Sequence, residues 1–399
     1  MALPSVAASL SSLPSVTTSW PGVALPMNDT TRFLHHQLMR MWEVPKEKYE
    51  GSSNLFLYNP APNPVSFKRE HYHTLKSADY LVGEKTHGQR CLLVMTRTAE
   101  GTPVNIILDR KCFMFSIRLA APKALYNGIG SCFDGELIHE NGKWFYVVFD
   151  LVSLSGISYL HTEDYLERLE RAREVLVEAE DMEEVDDDEA LRYAKGGQVI
   201  MLTTKAGETI HPAIHLRLKP VYPLHEIQKA YEGSDEYASD GLIFTPRYCP
   251  IRKERHDLMI KVKALEANTA DFRLVVTKRP KEKERLLEFR YRCHGKEEDI
   301  CAGDGFNYIG YSLAVSVGES RALQDILGRF RKDRSGHVQS TIVECQLIMD
   351  LNTQTLELVV TNERTDKTTP NNLTTLYGTL ETIQTGVGCE DLVKEFSTE

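Results

Sequence analysis

From about residue 65 to 160 the chain breaks into short apolar runs, DYLVGEK, RCLLVMTR, VNIILDRKCFMFSI and KWFYVVFDLV, each closed by Gly, Pro or Asn. Runs of this length, rich in β-branched and aromatic residues, fit strands and are too short for core helices. A second series begins near residue 272 with DFRLVVTK, LEFRYRC, YSLAVSV, STIVECQLIM and TLELVV, interrupted by the helix-like spacer SRALQDILGRFRKD. About five strands and one helix in roughly 110 residues suit a small Greek-key barrel such as an OB fold. Helical spacing also marks residues 30–43, TTRFLHHQLMRMWE, and the segment VYPLHEIQKAYEG. The fold class expected is α+β, with a larger domain of antiparallel sheets followed by a smaller barrel.

The 399 residues leave room for two or three domains, and 42% hydrophobic with 26% charged residues is the balance of a globular chain. The formal charge of −10 is not evenly spread. Residues 163–189 hold fourteen Asp or Glu and three Arg, a net of −11, so the rest of the chain stands near +1 and can present basic patches to RNA. The acidic block reads as a helical, solvated insertion. Eight scattered cysteines without a CxxC pair indicate neither a zinc site nor a disulfide framework and read as reduced thiols. No apolar run approaches a membrane span, and the Ser- and Pro-rich first 30 residues read as a disordered tail.

Chemistry is concentrated in a few segments. Lys85 in EKTHGQR lies between two apolar runs, and a desolvated lysine near other cations becomes a nucleophile. Gly88 lets backbone approach closely, and Arg90 is a hydrogen-bond donor beside it. FDGEL, FYVVFD and SDGLIF each join a strand to an acid. Lys261 and Lys263 alternate along a strand, so their amines share a face, an arrangement that calls for an anion between them. RTDKTTPN adds Arg364 and Lys367. Each segment alone has an ordinary structural explanation: a surface turn for KxxG, a core position for Phe149, a turn for Asp134, a solvated pair for Arg364 and Asp366.

Taken in order, these segments resemble the six collinear motifs of the covalent nucleotidyltransferases, the superfamily of mRNA capping enzymes and polynucleotide ligases. EKTHGQR is similar to KxDGxR, SDGLIF to the fourth motif, MIKVKALEANTADF to the fifth, and ERTDKTTPN to the capping-enzyme sixth motif, RxDKxxPN. The resemblance covers residues 60–385 and implies GTP:RNA guanylyltransferase activity with OB-fold closure. It makes Lys85 the nucleophile that carries GMP. Arg90 and Glu136 would hold the ribose, Arg110 would lie near the phosphates, Phe149 would stack on guanine, and Lys219 would face the base edge. Asp240 would help hold a divalent cation, Mg2+ or Mn2+. Lys261 and Lys263 would contact the α-phosphate and help Lys85 lose its proton, while Asp271, Arg364 and Lys367 would engage the β- and γ-phosphates. His87 stands where capping enzymes have Asp and where some RNA ligases have His, which keeps an ATP-dependent RNA ligase, or a non-catalytic nucleotide-binding relative, as an alternative.

The organisation implied is a tail at 1–30, a nucleotidyltransferase domain at 31–267 with the insertion at 163–189, an OB-fold domain at 268–385, and a second tail at 386–399. The implied partners are RNA with a 5′-diphosphate end, a separate RNA triphosphatase and cap methyltransferase, and the phosphorylated tail of RNA polymerase II, with no membrane. The family implies the nucleus, or the cytoplasm for a viral enzyme. Cys112 and Arg118 have the C-x5-R spacing of a cysteine phosphatase, but the intervening FMFSI has no glycine and reads as a strand rather than a phosphate cradle. The basic stretches 278–285 and 329–334 suit either RNA or solvent.

Overall fold

In the computed structural model the described residues are 21–49, 59–117, 119, 122–178, 189–193, 200–204, 209–210, 214–264, 267–278, 285–303, 305–332, 338–365 and 367–397. They fall into two compact units. The first takes in the described residues up to Val65, then Ala78–Ser239 and Ile243–Ile260; the second comprises Ser66–Ser77, Asp240–Leu242 and the chain from Lys261.

The first unit is built on an eight-stranded sheet whose central strands are Pro103–Leu108, Gln89–Arg97, Ser131–Glu140 and Lys143–Leu154, in that spatial order. RCLLVMTR is apolar throughout because both faces of its strand are buried. Cys91, Leu93 and Met95 enter one core cluster, with Phe133, Tyr146 and Leu151, while Leu92 and Val94 enter another, with Leu34, Leu38 and Trp42. The second cluster is closed by the helix Asp29–Met41, capped by the Asn28 side chain on the Thr31 amide. Val23–Ala24, inside the expected tail, pairs with Met114–Ser116, and residues 1–20 of that tail lie outside the described residues.

A five-stranded sheet runs in the order Tyr222–Pro223, Tyr80–Thr86, Ser239–Pro246, Arg255–Lys263, Asn63–Ser66. Parallel pairing joins His215–Leu218 to Phe145–Val148, and Ala314–Val317 to Thr355–Leu358. The first is reached from Lys143–Leu154 only after the long excursion that begins with the acidic block, since parallel neighbours need a crossover.

That block is not simply solvated. Its first part forms the helix Tyr165–Glu178, in which Tyr165, Leu169, Ala172 and Val175 are buried at i, i+4, i+7 and i+10. Arg168 on the same helix is 2% exposed, with its guanidinium on the Asp150 carboxylate at 2.7 and 3.0 Å. The acidic residues at 179–188 lie outside the described residues.

In the second unit the long strands follow the order Arg285–Cys293, Thr269–Lys278, Gln339–Asp350, Thr355–Glu363, Tyr311–Val317, with short strands Lys296–Asp299 and Phe306–Tyr308 at the two edges. This is the strand succession of an OB fold, with the helix Arg321–Lys332 before the fourth long strand and the parallel pair formed by its third and fifth. Two further helices, Leu373–Thr385 and Cys389–Phe396, belong to the same unit. Cys389 and Leu392 are buried, so residues 386–399, expected to be a tail, contain a packed helix. Its apolar positions are too few and too interspersed with acids to stand out in the sequence.

Candidate active site

Lys85 occupies the last turn of Tyr80–Thr86, a strand in which every other residue is buried and Lys85 alone is half-buried. The hairpin after it is held at three points within the first unit. Ser239 Oγ donates to the Lys85 carbonyl at 3.1 Å, the His87 amide donates to the Ala238 carbonyl at 2.9 Å, and Thr86 Oγ1 donates to the Glu136 carboxylate. Gly88 is required by closeness: a Cβ there would lie 2.6 Å from the Leu137 carbonyl oxygen and 3.0 Å from Glu136 Cγ.

Glu136 sits opposite Arg90 in the antiparallel register of their strands. Arg90 is a buried cation with a fixed geometry. Its Nε donates to Asp134 Oδ1 at 2.9 Å, one terminal nitrogen donates to the other Asp134 oxygen, and the second donates to the Pro62 carbonyl. Asp134 is 1% exposed; burial pushes its carboxyl up and Arg90 opposes that rise. Three of the five guanidinium N–H groups are thereby used, leaving two donors for a ligand. The same guanidinium lies over the Phe149 ring at 4.9 Å from its centroid.

Lys219 completes this cluster. Its amine lies 5.3 Å from the Phe149 centroid, and it is 6% exposed. Burial, with Lys85 and Arg90 as neighbouring cations, pushes its pKa down to about 8 against the opposing pull of Glu136 and Glu84. Gly83 makes room for it: a Cβ at that position would be 3.0 Å from Lys219 Cε. Gly83 and Lys85 share a face of their strand, so the Lys219 stem lies along the side from which Lys85 projects. Glu84, on the opposite face and 3% exposed, accepts the Ser234 amide at 2.8 Å. A cavity of about 670 Å³ is lined by Lys219, Val221, Tyr222, Leu166, Leu169 and other residues, but not by Lys85, Arg90 or Phe149.

Phe149 is held from behind through its backbone: Tyr165 donates its hydroxyl proton to the Phe149 carbonyl at 2.6 Å, next to the Arg168–Asp150 pair. Asp134, Asp150, Arg168 and Gly83 were not among the residues expected at the site. DGE and FD carry the two acids in the sequence, but nothing there indicates which arginines neutralise them. Arg110 is exposed at the tip of the turn that follows Pro103–Leu108. Cys112 in that turn is buried and burial pushes its thiol up to about 12; Arg118 lies outside the described residues.

The second unit gathers the remaining expected residues into two ion-pair groups. Lys263 Nζ is 3.1 Å from Asp240 Oδ2. The strand carrying Asp240 passes so close to Val262 that a Cβ on Gly241, at φ +151°, would lie 2.0 Å from the Val262 carbonyl oxygen. Lys261 is half-buried two residues before Lys263. Asp271, 4% exposed, accepts both Lys367 Nζ and Arg364, the latter at 3.4 Å, and Glu344 lies 3.7 Å from Arg364. A carboxylate so placed holds the two cations side by side. RTDKTTPN is fixed to the sheet by the Asn371 side chain, which accepts the Asp271 amide, and by the Arg273 guanidinium, which donates to the Thr368 carbonyl. Asp366 lies outside the described residues.

Comparison with known proteins agrees with this organisation. Residues 17–265 match the family model described as mRNA capping enzyme, catalytic domain, and residues 267–393 the one described as mRNA capping enzyme, C-terminal domain. The mRNA-capping enzyme subunit alpha of Schizosaccharomyces pombe is 27% identical over 406 residues, covering 94% of this chain and 87% of that protein. Its namesake from Neurospora crassa is 29% identical over 231 residues, 54% of this chain and 53% of the relative. The mRNA-capping enzyme of Caenorhabditis elegans is 23% identical over 83% of this chain, which spans 48% of that longer protein. The catalytic-domain match alone covers more than half of the sequence, and the chain belongs to the mRNA capping enzyme family, whose members are nucleotidyltransferases.

Proposed function

We propose that this chain is the guanylyltransferase that caps RNA with GMP from GTP, and that Lys85 carries the nucleotide. The observation behind this reading is the half-buried Lys85 on the strand face along which the Lys219 stem runs, with Arg90 and Lys219 both on the Phe149 ring and Glu136 opposite Arg90. Such a place suits an aromatic base and the sugar hydroxyls of a nucleotide, with Phe149 as platform, the two remaining Arg90 donors and Glu136 toward the ribose, and the Lys219 ammonium at the base edge.

In the first half-reaction the neutral Lys85 amine attacks the α-phosphorus. An N–P bond forms, the bond to the bridging oxygen breaks, and pyrophosphate leaves. In the second, a terminal oxygen of the RNA 5′-diphosphate attacks the same phosphorus, the N–P bond breaks, and Lys85 recovers its proton. Transfer of this kind depends on positioning and on cations that neutralise developing charge. Lys261, Lys263, Arg364 and Lys367 are assigned to the phosphates and Arg110 to their neighbourhood.

Among the described residues no group of three or more His, Cys, Asp or Glu converges as a metal cage. A single carboxylate, Asp240, with phosphate oxygens and water is a ligand set that fits Mg2+ or Mn2+. The cation would offset the charge accumulating on the leaving pyrophosphate. Because two of the relatives are named subunit alpha, we assign triphosphatase work to a separate protein.

The test is incubation with labelled GTP and a divalent cation. A covalent adduct that pyrophosphate reverses and that Lys85→Ala abolishes is the expected result. An adduct formed from ATP but not GTP would turn the assignment to an RNA ligase, the reading that His87 favours. Absence of any adduct while GTP still binds would leave a non-catalytic relative.

A further inference from the structure

The turn between Pro103–Leu108 and Met114–Ser116 is built to expose an aromatic ring beside cations. Phe113 is 52% exposed, although its chain neighbours Cys112 and Met114 are buried. Mobility does not account for this exposure. Asp109 Oδ1 accepts the amides of Lys111 and Phe113, both at 2.8 Å, while the Asp109 amide donates to the Phe113 carbonyl and the Cys112 amide to the Asp109 carbonyl, both at 3.0 Å. Asn59 adds a bond to the same carbonyl at 3.3 Å. Cys112 adopts φ +63°, uncommon for a residue with a side chain, and its buried thiol anchors the turn from inside. Asp109, the acid of the turn, holds two of its amides, and around it Arg110 and Phe113 are exposed and Lys111 half-buried.

Register fixes where this turn lies. Leu92 pairs with Leu108, and on its other side the strand of Leu92 pairs Arg90 with Glu136. The chain beyond Leu108 therefore leaves the sheet at the end that carries Arg90 and Glu136. A rigid exposed aromatic flanked by cations is how proteins hold single-stranded nucleic acid, by stacking on bases and neutralising phosphates.

We propose that the turn 109–113 receives the acceptor RNA, with Phe113 stacking on a base near the 5′ end and Lys111 meeting the adjoining phosphate. The inference rests on the guanylyltransferase reading, and its test separates the two half-reactions. Labelled enzyme–GMP is prepared from the wild type, Phe113→Ala and Phe113→Trp, then chased with increasing concentrations of a 5′-diphosphate oligonucleotide. Adduct formation is expected to be the same in all three. The RNA concentration for half-maximal transfer should rise about tenfold in Phe113→Ala, within the range expected for one lost base–aromatic stack, and Phe113→Trp should restore it. Equal transfer curves for wild type and Phe113→Ala would overturn the proposal. So would unchanged transfer accompanied by lost binding of a phosphorylated peptide, which would make the turn a protein contact. If the wild type forms no adduct with GTP, the functional reading fails by itself. Direct titration of the same oligonucleotide then decides the turn's role: equal affinities for wild type and Phe113→Ala overturn it.

Discussion

The two units hold their functional cations in different ways. In the first, Arg90 and Lys219 are withdrawn from water, and each meets specific partners: Arg90 a two-point clamp on Asp134, Lys219 the ring of Phe149. In the second, Lys263, Arg364 and Lys367 have side chains 27, 24 and 31% exposed, each beside a carboxylate. Burial makes the first set expensive to disturb, because a charge left alone there has no water to turn to. The cations of the second set keep access to water, although Arg364 and Lys367 share a carboxylate, Asp271, that does not. The first arrangement suits a fixed base and sugar, the second a leaving group that must come and go.

The largest test of that contrast is removal of the carboxylate on each side. Asp134→Ala strands a buried guanidinium and should destabilise the first unit by about 3–5 kcal/mol. It should also cut adduct formation, since Arg90 loses the geometry that holds it over Phe149. Asp271→Ala leaves Arg364 its second acid, Glu344, and Lys367 its access to water, so the loss should be about 1–2 kcal/mol. Urea unfolding of both variants gives the two values. Equal losses would show that burial does not distinguish the two sets.

The central strands of the eight- and seven-stranded sheets were legible, because short punctuated apolar runs have few other solutions. So was the family, from motifs whose resemblance needed no geometry. The partners of the motif residues were not legible. Arg168 sits in a run of acids that reads as solvated, and only the folded position of Asp150 accounts for its burial. Asp134 reads as a turn residue until Arg90 is seen on it. The role of Gly83 depends on the stem of Lys219, 136 positions away in the chain, and sequence spacing carries no such information. The helix Cys389–Phe396 was lost because two buried residues among charged ones make a weak stripe.

Lys219 gives the next largest effect, and one with a definite pH window. Its folded pKa is near 8 and the usual lysine value is 10.5, so between these limits the folded chain has released a proton that the unfolded chain retains. Unfolding then takes up a proton, and stability rises with pH from about 8 to 10.5; below 8 the full cost of the buried ammonium is present. Lys219→Met should remove that cost, stabilising the chain at pH 7 by on the order of 2–3 kcal/mol, with a smaller gain at pH 9.5. GTP labelling should fall in the same variant, which loses a cation facing the base. Wild-type and variant unfolding midpoints that stay parallel from pH 7 to 9.5 would contradict the assignment.

The smallest effect on stability belongs to Asp240, and there the contrast is sharpest. Its pair with Lys263 is partly open to water on both sides, 27 and 19% exposed, so Asp240→Asn should cost less than about 1 kcal/mol. If Asp240 is the protein's ligand to the divalent cation, the change should appear in catalysis instead, as an increase of about tenfold in the Mn2+ concentration that half-saturates GTP labelling. The amide keeps one oxygen for the ion but gives up its charge, and it no longer competes for Lys263, which then becomes available to phosphate. Cation affinity and the salt sensitivity of GTP binding should therefore move in opposite directions, the first weakening and the second growing. A purely structural pair would change neither, and an unaltered Mn2+ titration in a folded Asp240→Asn would remove this residue from the ion's shell.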